Sequence, residues 1–178
     1  MMDPHAMLPW LIEEGTRWVQ SERDAHRPHA RPLGDREVDA LEPFFGPTIL
    51  NLASIRFVGR IHNPPFYPML VQNEIPVIDF AQGRGITFID TIVISQDHMP
   101  SGPVPLSLVF HELVHVVQYD LVGVDEFVSR YVGGWFAHGQ EYSLIPIERQ
   151  AYELQARYEA NPVIGFPVGA HVRRLGVP

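Results

Sequence analysis

The 178-residue sequence contains no cysteine and no lysine. The absence of cysteine excludes disulfide bonds, thiolate metal sites and cysteine nucleophiles. All 13 basic residues are arginines, and 21 acidic residues outnumber them, which gives a formal net charge of -8 at pH 7. Because nucleic acids bind basic surfaces, this balance argues against a nucleic-acid partner.

Long apolar runs and targeting signals are also missing. Every apolar run is shorter than the roughly 18 residues that a membrane-spanning helix needs. The amino terminus, Met1-Met2-Asp3-Pro4-His5, has no basic region followed by an apolar stretch. We therefore expect no signal peptide, no membrane span and a cytoplasmic protein. Hydrophobic residues still make up 46% of the chain, enough for a sizeable core.

The length predicts a single domain, residues 1–178, and the mixture of predicted helices and strands places it in the α+β class. Within it we expect a helical and irregular region at 1–70, a core at 75–160 and an irregular tail at 163–178. Apolar periodicity and β-branched runs predict its elements. The predicted helices cover 9–25, 35–41, 106–122 (with Gly123 as the stop), 125–132 and 146–160, and the predicted strands cover 55–61, 75–80 and 86–95.

One motif is typical of metal chemistry, His111-Glu112-x-x-His115, inside the predicted helix 106–122. Residues four apart in a helix differ by about 40° in direction and about 6 Å in rise, so both imidazoles can reach one metal ion. Glu112 lies at the edge of the same side, where a carboxylate can act as general base on a water molecule. The simpler alternative is that both histidines are core residues paired with carboxylate and carbonyl groups.

A catalytic zinc ion usually has three protein ligands and one open position, so a third ligand is needed. A histidine six residues after His115 is excluded, because that position is Leu121, and no downstream aspartate motif is present. The last predicted helix offers Glu148, Glu153 and Glu159. Glu148 lies beside the apolar stripe that must face the core, whereas Glu153 points into solvent. We therefore expect Glu148 to be the ligand, although a first-turn carboxylate can instead stabilise the helix dipole.

These residues resemble the motif of the gluzincin metallopeptidases, in which a glutamate on a downstream helix completes the zinc site. The resemblance covers residues 75–160 and includes Glu148-x-x-Ala151 and the β-rich run 86–95. The length is similar to that of compact minigluzincin cores and small bacterial peptidase domains. The resemblance implies a zincin-like fold, with a small mostly antiparallel or mixed sheet packed on the active-site helix. Where the family often has a buttressing aspartate, this chain has Tyr152.

Other residues are candidates for supporting roles. Stabilisation of a developing oxyanion needs a hydrogen-bond donor, and Tyr131, His138 and Tyr142 lie between the two predicted ligand helices. Tyr142 is favoured because it closely precedes the helix that carries Glu148, although each of the three can also be explained as ordinary packing. Asp90 is a candidate to orient a ligand histidine.

The sequence thus predicts a zinc-dependent metallopeptidase that binds one Zn²⁺ per chain and hydrolyses peptide bonds with metal-activated water. The predicted ligands are His111, His115 and Glu148, and the predicted catalytic residues are Glu112 and Tyr142. Its partner would be a peptide or protein substrate. Two alternatives remain open: a non-enzymatic peptide-binding or structural module that uses the same zinc core, and a zinc hydrolase of a non-peptide amide.

Overall fold

The fold is described from a computed structural model that covers residues 5–99 and 101–174. The predictions for the first four residues, for Pro100 in the proline-rich loop and for the last four residues of the tail lie outside the described residues.

The described residues form helices around a small sheet. The helices are α1 (Leu8–His26), α2 (Asp35–Leu41), α3 (Pro47–Leu52), α4 (Tyr67–Gln72), α5 (Leu106–Ala137), α6 (Pro146–Ala160) and α7 (Val168–Arg174). The strands are β1 (Arg31–Pro32), β2 (Ser54–Val58), β3 (Gly85–Phe88) and β4 (Thr91–Ser95). Short 3-10 turns cover His5–Met7, Arg27–His29, Phe80–Gln82 and Tyr142–Leu144. The α+β class and the small mixed sheet are confirmed.

The sheet has the strand order β1-β2-β4-β3. The central pair, β2 and β4, is parallel, and both outer pairs are antiparallel. Successive residues of β4 face opposite sides. Ile92 and Ile94 pack with the first half of α5, whereas Val93 packs with Val19 of α1 and Phe127 of α5. Helices therefore cover both faces of the sheet, and the first seventy residues contribute to both layers.

The run 86–95 is not the single long strand that its β-branched sequence predicts. It forms a hairpin, in which Phe88 pairs with Thr91 across a two-residue turn at Ile89 and Asp90. Ile89 has a φ of 60°, a conformation that β-branched residues rarely adopt. Two hydrogen bonds from Arg23 to the Asp90 carboxylate hold this turn against α1.

Three other predictions need correction. Residues 75–79 are irregular and lead into a 3-10 turn, so the strand expected at 75–80 does not form. The tail predicted to be irregular contains α7, whose Val168 and Val172 enter the core. The two helices expected on either side of Gly123 form one helical element that is interrupted there, because Gly123 has a φ of 79° and a ψ of 169°. Glycine is the residue that tolerates such a conformation.

The first half of α5 lies at the centre of the molecule. All its residues from Leu108 to Tyr119 are buried, and they contact the sheet on one side and α6 on the other. The other described helices are shorter or more polar, and none of the described helices could span a membrane. This central position brings the His-Glu-x-x-His motif into contact with β3 and α6.

Candidate metal centre

The two motif histidines lie next to each other inside the protein, as the helical spacing predicts. Each is only 5% exposed, and their Nε2 atoms are 3.1 Å apart. Together with one carboxylate oxygen of Glu148, they offer three ligand atoms that lie within 4.8 Å of one another. This separation is small enough for a single ion to contact all three atoms.

The third member, Glu148, comes from the first turn of α6. Its Oε2 atom lies 3.4 Å from Nε2 of His111 and 3.6 Å from Nε2 of His115. Glu148 is 3% exposed, and Oε2 accepts no hydrogen bond from the described residues. By contrast, the side chain of Glu153 is 59% exposed. A buried carboxylate oxygen without a donor is costly unless a cation contacts it, and this site meets that need.

Two glutamines fix the histidine rings. Gln118 donates from Nε2 to the carbonyl of Ile147 and to Gln150, so its Oε1 accepts a hydrogen bond from Nδ1 of His115 at 2.7 Å. Gln155 donates to Glu159, and its Oε1 accepts from Nδ1 of His111 at 3.0 Å. Because each glutamine Oε1 accepts from an Nδ1 atom, both rings direct their Nε2 atoms toward Glu148, where a bound metal ion would meet the Nε2 lone pairs.

The charges of the site also favour a cation. With only the protein's own groups present, burial opposes protonation of His115, but the Glu148 carboxylate, with Glu112, raises the pKa of His115 to about 9. Burial would raise the pKa of Glu148, yet the two imidazoles hold it far below its usual range. The two shifts have one electrostatic cause, because the negative charge of Glu148 favours the protonated form of His115, and the protonated imidazole in turn favours the ionised form of Glu148. A divalent cation with nitrogen and oxygen ligands, such as zinc, fits this donor set.

The motif glutamate is held beside this centre by β3. Glu112 is 3% exposed, and its Oε2 accepts a 2.7 Å hydrogen bond from the hydroxyl of Thr87. The other oxygen, Oε1, lies over Gly85, where a Cβ atom would approach it to 2.6 Å. Glycine at position 85 therefore makes room for the carboxylate, and threonine at position 87 sets its orientation.

Two of the three donor candidates lie near Glu148. Removal of water from the two hydroxyl groups and the negative charge of Glu148 raise the pKa of Tyr131 and of Tyr142, so both phenols stay protonated. His138 is not part of the centre, because its Nδ1 donates to the carbonyl of Gly134 at the end of α5. Asp90 does not orient a histidine either, since its carboxylate pairs with Arg23 of α1 and with Arg27 of the 3-10 turn that follows α1.

The sequence analysis missed the roles of Gln118 and Gln155. Gln155 lies seven residues after Glu148, two helical turns along the same face, and Gln118 lies three residues after His115. These spacings are the signals that could have identified them. Tyr152, at the position of the family's aspartate, instead packs its ring on His111 with 4.5 Å between ring centroids.

A cavity beside the metal centre is lined by residues of α1, of the segment 64–80 and of the second half of α5. Its lining includes all three candidate ligands together with Glu112 and Tyr142. The centre can therefore be reached by a ligand that enters the cavity.

Comparison with family models, with curated proteins and with solved structures found no match to this chain. The functional assignment therefore depends on the geometry of the centre.

Proposed function

We propose that the protein is a zinc-dependent hydrolase that cleaves peptide bonds, as the resemblance to gluzincins implies. The observation that carries this proposal is the convergence of His111, His115 and Glu148 beside a buried glutamate at the end of a cavity. A structural zinc site usually has four protein ligands, and only three are clustered among the described residues. Three ligands beside a cavity are the arrangement expected of a catalytic site.

The three ligand residues would bind Zn²⁺ through two imidazole nitrogens and one carboxylate oxygen. A zinc ion in such a site supplies Lewis-acid activation of water and of the scissile carbonyl group. The protein contributes rigidity, because Gln118 and Gln155 hold both rings in the tautomer that directs Nε2 to the ion.

Glu112 is the proposed general base. Its Oε2 is held by Thr87, which leaves Oε1 to accept the proton of the attacking water. The same carboxyl group then passes this proton to the leaving nitrogen, so the carbon–nitrogen bond breaks to give a carboxylic acid and an amine. Burial of Glu112 excludes bulk water from this transfer.

Tyr142 is the proposed donor to the carbonyl oxygen as negative charge develops on it. Its hydroxyl stays protonated because burial and the Glu148 charge raise its pKa. Tyr131, whose pKa is raised by the same groups and by Tyr142, lines the same cavity. The pair places phenolic donors on the side of the centre that α5 and α6 form.

The sheet edge supports an extended peptide as the substrate. The strand β3 is the outermost strand, and its residues Gly85 and Thr87 contact the proposed base. A peptide that pairs with a free strand edge gains main-chain hydrogen bonds in a defined register. Such pairing would bring the scissile bond next to Glu112.

The test compares Glu112→Gln with Glu126→Gln, a change on the same helix at a side chain that is 51% exposed. We expect the Glu112 variant to bind one zinc ion per chain and to lose about 10²–10⁴ of the rate at which a quenched-fluorescence peptide library is cleaved. The Glu126 variant should match the wild type. Cleavage by Glu112→Gln at the wild-type rate would contradict the mechanism, and zinc binding without any hydrolysis by the wild type would favour the non-enzymatic module.

A further inference from the structure

The cavity beside the metal centre is long in one direction. Leu11, Gly15, Trp18 and Val19 line it along one side of α1. At 1.5 Å per residue, the span from Leu11 to Val19 is about 12 Å. The second half of α5, which packs against α1 where Gly15 meets Val128, lines the cavity from Phe127 to Phe136. No single amino-acid side chain reaches this far, so a ligand that fills the cavity has an apolar part larger than one residue.

The polarity of the lining changes along this length. The acidic, basic and imidazole side chains that line the cavity are His111, Glu112, His115 and Glu148, and all four belong to the metal centre. The remaining lining side chains are aliphatic or aromatic apart from Thr87 and the tyrosines, and Thr87 already binds Glu112. The cavity therefore has one polar end and a long apolar body.

Away from the edge of β3, where the proposed function places the peptide, the lining side chains offer few hydrogen-bond partners to a peptide backbone. Each buried peptide unit brings an N–H and a C=O that must be hydrogen-bonded, and an unpaired group costs free energy. The indole N–H of Trp135, a lining residue of α5, already donates a hydrogen bond to the carbonyl of Pro76 at 3.3 Å. It is therefore not available to a ligand. A hydrocarbon chain has no hydrogen-bonding groups, and each methylene group that it buries makes binding more favourable.

We propose that the cavity binds the hydrocarbon chain of an acylated substrate, whose amide carbonyl then lies at the metal centre. This inference rests on the proposed function for the chemistry at the polar end. In the reaction, water adds to the carbonyl carbon and the bond to nitrogen breaks, which releases a long-chain carboxylic acid and an amine. The preferred substrate class is therefore an amide of a long-chain fatty acid, such as an N-acylated peptide.

The chain offers a matched pair of variants to test this assignment. Val77 lines the cavity from the irregular segment that follows α4, so Val77→Trp would fill part of the apolar body. Val71 lies on α4, is 59% exposed and is not part of the lining, so Val71→Trp is the control. Val132→Phe fills the cavity from the α5 side and keeps the test valid if Val77→Trp disturbs its own segment.

The probes are acetohydroxamate, hexanohydroxamate and decanohydroxamate, which share a metal-binding group and differ in chain length. Their affinities would be measured by calorimetry against zinc-loaded and metal-free protein. For zinc-loaded wild type we expect about a fourfold gain in affinity per added methylene until the cavity is full. Val77→Trp and Val132→Phe should weaken decanohydroxamate about fifteenfold, as expected if roughly two methylenes are excluded. Acetohydroxamate should bind all variants equally, and Val71→Trp should behave as wild type.

The outcomes separate this inference from the proposed function. If acetohydroxamate binds the zinc-loaded protein but affinity does not rise with chain length, the acyl assignment is overturned and the metal centre stands. The acyl assignment is equally overturned if both filling variants fold and bind decanohydroxamate as the wild type does. If affinity rises with chain length but each hydroxamate binds zinc-loaded and metal-free protein with the same affinity, the cavity assignment is supported and the binding of the hydroxamate group to zinc is rejected.

Discussion

Each of the two proposed ligand histidines donates its Nδ1 proton to a glutamine amide, where a carboxylate is a frequent partner in zinc sites. Gln118 is fixed in turn by Ile147 and Gln150, and Gln155 by Glu159. A neutral amide orients the ring without adding negative charge. The formal negative charge closest to the ion would then come from Glu148 and Glu112 alone among the cavity-lining residues.

Replacing Gln155 by leucine should therefore weaken zinc binding without unfolding the protein. The ring of His111 would lose its Nδ1 acceptor, and loss of such a partner typically costs about 10–100-fold in metal affinity. Competition with a chromophoric chelator measures this change directly. Gln20→Leu, at an exposed position of α1, is the control and should leave affinity unchanged. Equal affinity of Gln155→Leu and wild type would show that the hydrogen bond does not position His111.

Position 85 needs glycine because the Glu112 carboxylate lies close to its Cα atom, and not because the backbone turns there. A Cβ at this position would lie 2.6 Å from Oε1 of Glu112, so Gly85→Ala must displace the proposed base. We expect zinc affinity to stay within about threefold of wild type while hydrolysis falls roughly 10²-fold, the scale of a lost general base. Gly59→Ala is the control, because a Cβ there meets no atom within 4 Å. Full activity of Gly85→Ala would place the base elsewhere.

At the level of single residues, helical periodicity was enough to predict which side chains lie together. The four-residue spacing predicted the adjacent imidazoles, and the apolar stripe of α6 predicted that Glu148 faces inward while Glu153 does not. The glutamine partners and the role of Gly85 could not be derived in the same way. They depend on how α5 packs against α6 and β3, which periodicity within one element does not contain.

Among the elements, the hairpin β3–β4 differs most from expectation. A two-residue hairpin turn normally carries glycine or asparagine, so Ile89-Asp90 gives no turn signal and the run reads as one strand. Tertiary contacts impose the turn instead. Arg23 donates two hydrogen bonds to the Asp90 carboxylate, at 2.8 and 3.0 Å, and Arg27 donates to the Asp90 carbonyl oxygen. The helix α1 thus fixes the strand that supports the proposed base.

Asp90→Ala should lower the free energy of unfolding by about 2 kcal/mol, because it removes the charged hydrogen bonds that join the turn to Arg23 and Arg27. Urea denaturation measures the change. Asp97→Ala is the matched control, since Asp97 and Arg60 form an exposed pair at 3.5 Å that should contribute less than about 1 kcal/mol. Equal effects of the two substitutions would mean that α1 does not hold the turn.

The same ion pair predicts a pH dependence. Burial works to raise the pKa of Asp90, but its hydrogen bonds with Arg23 and Thr91 and the charges of Arg27 and Arg23 lower it overall. A lowered folded pKa means that this stabilisation is present above the unfolded value, about 3.9, and is lost as the pH falls through the folded value. Wild type should therefore lose more stability than Asp90→Ala between about pH 5 and pH 2. Parallel losses in both proteins would contradict this assignment.

For the whole molecule, the sequence indicated the class of fold and the helices that carry the motif. It did not indicate that α1 and the segment 64–80 line a cavity. No motif marks α1 or the segment 64–80, and their apolar residues read as ordinary core positions. In three dimensions they form one wall of the cavity that opens on the metal centre. A binding cavity arises from elements that are distant in sequence, and patterns within each element do not predict what the space between them accepts.

The central claim, that His111, His115 and Glu148 together bind one zinc ion, is tested most directly by the zinc content of the dialysed protein. Elemental analysis should give about one zinc per chain for wild type and for His138→Ala, whose histidine lies outside the centre. His115→Ala should contain almost none, and added zinc should raise the melting temperature of wild type but not that of His115→Ala. A wild-type zinc content near zero, or full occupancy in His115→Ala, would contradict the account.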